Sequence, residues 1–285
     1  MNIFINGKPA DITLDTEKTL GDVLSGIELW ISPTGNRIRN IILNDKTLDP
    51  EALEEAFSKD VKEIVKLEIA VSAWRELAAE ALEALSTACK LFLEAPFDQR
   101  AQIKDTWEKS AALRFLASDI PDISEYAART FSGEGFSALE LDILVNERIR
   151  EVFDPKLEIY ASEALVKTIA ARMEELPLDI QTGKDLRAAE TVQLFAKIGE
   201  KLFRVFFLLK SEGFSLDTLI IDTLPARTFI DDFNAALREL SAAFENKDTV
   251  LAGDIAEYEL SPRLLKFFTS LKEIAESSPS IMPTP

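Results

Sequence analysis

Between positions 72 and 278 the apolar residues recur at every third or fourth position. That spacing gathers them on one side of an α-helix and cannot line one face of a strand, where side chains alternate. Leu77, Ala81, Leu82, Leu85, Ala88, Cys89 and Phe92 form the first such stripe. Ala95-Pro96-Phe97-Asp98 and Asp119-Ile120-Pro121-Asp122 break the chain, and the pattern between them predicts one helix over 99–117. Further helices are expected over 125–131, 138–153, 155–175, 185–210, 228–245 and 249–276, with Pro262 bending or interrupting the last. The helix over 185–210 carries Leu194, Phe195, Ile198, Leu202, Phe203, Val205, Phe206 and Leu209 on more than one face, which predicts a central helix packed on several sides. No strand is expected here. Residues 72–278 read as an all-helical bundle, and the Pro/Ser-rich 279–285 as a disordered tail.

The first 71 residues follow a different rule. Ile3, Phe4 and Ile5 read as a strand, Asn6-Gly7 as a hairpin turn, and 10–14 as the second strand. Thr19 and Asp22 have capping-box spacing, and Leu20, Val23, Leu24, Ile27 and Ile31 follow at helical spacing. A strand over 38–43, a short helix opened by Asp49-Pro50-Glu51 and an alternating strand over 64–71 complete the segment. This order resembles the β-grasp, or ubiquitin-like, fold. The resemblance implies a small docking module. Carriers of this fold work through a free terminal diglycine, whereas here the last strand runs into Ser72-Ala73-Trp74-Arg75. The expected class is therefore α+β: a β-grasp-like domain over 1–71, a helical bundle over 72–278, and a tail over 279–285.

Fifty acids against thirty-two bases give a net charge of −18. Such a chain is repelled by phosphate backbones and anionic lipid, so neither nucleic acid nor membrane is expected as a partner. The opening residues show no secretory leader, and no apolar run reaches membrane-spanning length. The single cysteine, Cys89, sits on an apolar stripe and is expected to be buried and inert, consistent with a cytoplasmic protein.

Histidine is absent from the sequence. This removes the usual general base near neutral pH, the Ser-His-Asp and Cys-His nucleophilic systems, and most zinc and di-iron ligand sets. Asp231, Asp232, Asp254, Glu257 and Glu259 have no histidine partner and no EF-hand spacing, so neither metal nor cofactor is expected. Gly183-Lys184 lacks the preceding glycine and following Ser/Thr of a phosphate loop, and reads as an interhelical turn with Asp185 as its cap. Lys197, Lys201 and Arg204 make a basic stripe that either pairs with neighbouring acids or forms a candidate partner-binding site for an acidic peptide.

The strings 176–185 and 247–262, with the β-grasp-like start, resemble a family of uncharacterised bacterial proteins of Firmicutes and spirochaetes. Residues 229–271 are loosely similar to flagellar export chaperones, acidic helical bundles that hold a partner's helix. Neither resemblance implies catalytic residues. The expected function is a non-catalytic adaptor or chaperone-like protein that binds another protein, as an amphipathic helix in a groove. The alternatives are a small-ligand sensor or carboxylate- or lysine-dependent enzyme with a site between helices, and a structural homo-oligomer.

Overall fold

The computed structural model describes residues 1–14, 16–48, 53–135, 137–210 and 219–277. Residues 1–73 build a mixed sheet from β1 (Asn2–Ile5), β2 (Lys8–Pro9), β3 (Asn36–Leu43), β4 (Lys46–Thr47) and β5 (Lys66–Ala73). The strand order is β2-β1-β5-β3-β4, with β1 and β5 parallel and the other pairs antiparallel, which is the β-grasp arrangement. Two-residue turns join the hairpins, Asn6-Gly7 and Asn44-Asp45, all four residues at positive φ. Asn6 also extends the β1–β5 ladder with its side chain, accepting from the Val71 N–H at 2.7 Å and donating to the Val71 carbonyl at 3.0 Å.

Helix α1 (Leu20–Ile31) opens with the expected capping box of Thr19 and Asp22. Its buried residues Leu20, Val23, Leu24, Ile27 and Ile31 join Ile3, Leu43, Leu67 and Ile69 in the domain's core. Helix α2 (Leu53–Phe57) follows; its predicted start at Asp49-Pro50-Glu51 lies outside the described residues. Two expectations change in this segment. The second strand is Lys8–Pro9 rather than 10–14, because the tight turn fixes pairing to the residues beside it. The last strand continues to Ala73.

Helix α3 (Trp74–Glu94) leaves β5 without a loop. The single helix predicted over 99–117 is two, α4 (Arg100–Glu108) and α5 (Ala111–Asp119). Ser110 divides them: its hydroxyl accepts from the Leu113 N–H at 3.0 Å and caps a new helix. Helices α6 (Pro121–Phe131) and α7 (Ala138–Phe153) follow.

Two compact units divide the chain, Met1–Ile149 and Arg150–Pro285. In the first, the Trp74 indole donates to Asp119 at 2.9 Å, and the same carboxylate lies 3.5 Å from Arg37 of β3. Sheet and helices are thereby tied together.

The second unit contains α8 (Pro155–Glu174), α9 (Leu176–Gln181), α10 (Asp185–Lys210), β6 (Ile220–Ile221), β7 (Leu224–Pro225), α11 (Ala226–Glu245), α12 (Thr249–Asp254), a π-helical turn (Ile255–Leu260) and α13 (Ser261–Ser277). The β6–β7 hairpin corrects the expectation of no strand; with two residues a side it is too short for alternation to show. Helix α10 is central, as its several apolar faces predict. Phe195, Phe203 and Phe206 meet Phe233 and Phe267 with ring centroids 4.7–6.0 Å apart. The regular α-helix is interrupted just before Pro262, where Ile255–Leu260 widen into the π-helical turn and the Ser261 N–H bonds the Ala256 carbonyl five residues back, while the path stays helical. The predicted tail over 279–285 lies outside the described residues.

Candidate functional site

Helices α8 and α10 run antiparallel and, with the last turn of α7, exchange charges along one seam. Glu151, only 1% exposed, accepts two 3.0 Å bonds from the Arg204 guanidinium. Buried Glu158 accepts from Lys201 at 2.8 Å and from Arg150 at 3.2 Å. Further along, Arg172 donates to Thr191 at 3.1 Å and to Glu190 at 2.8 Å. Lys201 and Arg204 of the basic stripe thus neutralise buried carboxylates within the chain, while Lys197 is exposed. The two acids were not legible as buried, yet there was a signal: Lys201 and Arg204 alternate with core residues Leu202 and Val205.

The reactive groups are similarly occupied. Burial, then the nearby Asp142 carboxylate, pushes the Cys89 thiol up to about 12, so it stays protonated at neutral pH. The Gly183-Lys184 turn closes on itself: the Lys184 N–H bonds the Asp179 carbonyl at 2.8 Å, and its ammonium lies 3.3 Å from the buried Asp179 carboxylate, which Arg187 also approaches at 3.1 Å. Among the described residues no group of three or more His, Cys, Asp or Glu is placed to hold a metal ion.

Helix α8 offers a different kind of surface. Asp154 caps it, accepting from the Leu157 N–H at 2.9 Å, and Pro155 fills its first position. One side buries Ile159, Val166, Ile169, Ala170 and Met173 in the core. The opposite side exposes Leu157, Tyr160, Ala161, Ala164, Leu165, Thr168 and Ala171, with no charge among them. Beside this strip lies an open groove of about 250 Å³ between α8 and α13. Leu265, Phe268 and Thr269 line it together with the charged Glu163, Lys167, Lys272, Glu273 and Glu276. Glu163 accepts from Lys167 at 2.8 Å and from Lys272 at 3.1 Å, and these two ammonium donors hold its carboxyl below the ordinary glutamate value. Lys272 also sits 6.0 Å from the Tyr160 ring centroid.

Residues 1–73 match a family model described as the TP0873 N-terminal domain. Residues 159–270, from the start of the α8 core through most of α13, match a domain of unknown function, DUF8042. The chain therefore joins a TP0873-like N-terminal domain to a DUF8042-like helical domain. The bare strip and the groove both fall largely within the DUF8042-like segment. No curated protein and no solved structure matches the chain. Among the described residues no helix is long and apolar enough to cross a membrane.

Proposed function

We propose that this is a non-catalytic, cytoplasmic protein-binding adaptor that holds an amphipathic helix of another protein against α8 and the adjoining groove. The observation that carries this reading is the uncharged strip on the exposed side of α8, from Leu157 through Ala161, Ala164 and Leu165 to Ala171, which lies opposite the face buried in the core and is bordered by Lys167. An exposed apolar strip of this length is the surface on which the apolar face of a second helix would be buried. The charged residues that line the groove, Glu163, Lys167, Lys272, Glu273 and Glu276, would set the partner's register more than its affinity.

A sensor or enzyme between helices needs a deep pocket with convergent ionisable groups. Buried Glu158 and Lys201 are paired with each other, Glu163 in the α8/α13 groove is paired with Lys167 and Lys272, and that groove is open. The flagellar-chaperone likeness of 229–271 has no counterpart in the matched families and plays no part here. A homo-oligomer built on α8 is separated from the adaptor by light scattering across a concentration series.

Ala164→Glu tests the proposal. It sets a charge in the middle of the strip at an exposed helical position, where the fold tolerates it. Capture from the native host should return a stoichiometric partner with the unaltered chain and at least tenfold less of it with the variant. Equal recovery by both, or none by either, would overturn the reading.

A further inference from the structure

Two asparagines hold β5 at the two turns of the N-terminal sheet. Both open a two-residue turn at positive φ, Asn6 before Gly7 and Asn44 before Asp45. The Asn44 side-chain oxygen accepts from the Val65 N–H at 2.9 Å and the Lys66 N–H at 3.0 Å, where β5 begins. Asn6 acts where the pairing of β5 with β1 ends. Its Oδ1 accepts from the Val71 N–H at 2.7 Å, its Nδ2 donates to the Val71 carbonyl at 3.0 Å, and its backbone N–H bonds the Ile69 carbonyl at 2.9 Å. Both polar ends of the Asn6 amide are thus committed to β5.

The residue that follows makes the two asparagines chemically different. No asparagine in the sequence other than Asn6 precedes glycine. Gly7 has no side chain to shield its backbone nitrogen or to restrict its approach to the Asn6 side chain. An asparagine in this setting hydrolyses itself in two steps. The Gly7 nitrogen bonds to the Asn6 Cγ, the Cγ–Nδ2 bond breaks, and ammonia leaves with the proton given up by the Gly7 N–H. Water then opens the cyclic imide at either carbonyl. Opening at Cγ leaves aspartate; opening at the main-chain carbonyl leaves isoaspartate, in which the chain runs through the side-chain carbon. Neither step needs any reagent but water. At Asn44 the following residue is Asp45, whose side chain hinders the same path.

We infer that Asn6 is a self-modification site gated by the β1–β5 ladder: it is preserved while Val71 holds its amide, and it hydrolyses in chains whose β1 has left β5. Reaching the Gly7 nitrogen requires the amide to give up both Val71 bonds, so the closed ladder suppresses the reaction and each opening permits it. The change is irreversible and weakens the contact that prevented it. The aspartate product keeps an acceptor for the Val71 N–H but sets a carboxylate oxygen against the Val71 carbonyl, where Nδ2 had donated. The isoaspartate product adds a backbone atom to a two-residue turn whose length fixes the register of Phe4 with Pro9 and Ile5 with Lys8. A molecule that has opened here is therefore marked, and it reopens more readily.

The test incubates the full chain in mildly alkaline buffer, with and without urea, and follows Asn6 and Asn44 by peptide mass mapping with isoaspartate detection. In urea Asn6 should convert, with isoaspartate among the products, while Asn44 stays intact, and Gly7→Ala should slow the reaction about tenfold. Without urea, conversion at Asn6 should be slower by about tenfold or more, a factor set by the opening free energy of the ladder. Ile3→Val trims a buried β1 side chain away from the turn; it should speed conversion in buffer about three- to tenfold and leave the rate in urea unchanged. Asn6→Asp should lower the urea midpoint of the first unit. Equal rates in buffer and urea, no conversion in urea, a rate in buffer that Ile3→Val leaves unchanged, or an Asn6→Asp chain as stable as the unaltered one would each overturn the inference.

Discussion

Replacing Arg204 by methionine keeps the bulk of the side chain and removes its charge, leaving the Glu151 carboxylate at 1% exposure with neither of its two guanidinium bonds. Removing one partner of a buried pair costs up to about 3–5 kcal/mol where the remaining charge stays desolvated. With a urea dependence of about 2 kcal/mol per molar, the midpoint for the second unit should fall by about 1–2 M. Lys197→Met removes an exposed charge from the same stripe and should change stability by less than about 0.5 kcal/mol. Converting both members, Glu151→Leu with Arg204→Met, should recover most of the loss, since neutral packing replaces an ion pair with little net cost. Urea titrations followed by circular dichroism measure all four proteins. A fall below about 1 kcal/mol for Arg204→Met, or a double variant as unstable as the single, would refute the view that these cations serve the fold.

Three other outcomes follow from single residues. Cys89, with its thiol raised to about 12 by burial, should resist thiol reagents at pH 8 in the native protein and react stoichiometrically in denaturant; rapid native labelling would contradict its burial. Thr223 holds φ at 71° in the β6–β7 turn, and relieving that conformation is worth about 1–2 kcal/mol against an added chain entropy of about 0.5–1, so Thr223→Gly should raise thermal stability by about 0.5–1 kcal/mol, read by calorimetry. Asp22 has its pKa lowered chiefly by the Thr19 backbone N–H, then by Lys18; its contribution is full above the unfolded aspartate pKa and lost as pH falls through the lowered one, so Asp22→Asn should flatten the acid limb of the N-terminal domain's stability profile.

Much of this architecture was legible because local rules and tertiary packing agree. The bounds of α7 and α10 coincide with the predicted 138–153 and 185–210, and the capping box at Thr19 fixes the start of α1. Ser110 was missed because one hydroxyl divides an otherwise continuous helical pattern. The β6–β7 hairpin was missed because two residues a side carry no period. The surfaces were harder to read. Glu151 and Glu158 find their cations 53 and 43 residues away, a pairing no local spacing encodes. Leu157, Ala161 and Leu165 look no different in sequence from Ile159, Val166 and Ile169; only the packing of α8 against its neighbours decides which set meets solvent.

A photo-crosslinking amino acid placed at position 164 in living host cells addresses the adaptor reading most directly. Irradiation should join the chain to one other protein, through a segment that forms an amphipathic helix. A product of twice the chain's own mass, or only the unmodified chain at expression levels that sustain crosslinking elsewhere, would contradict it.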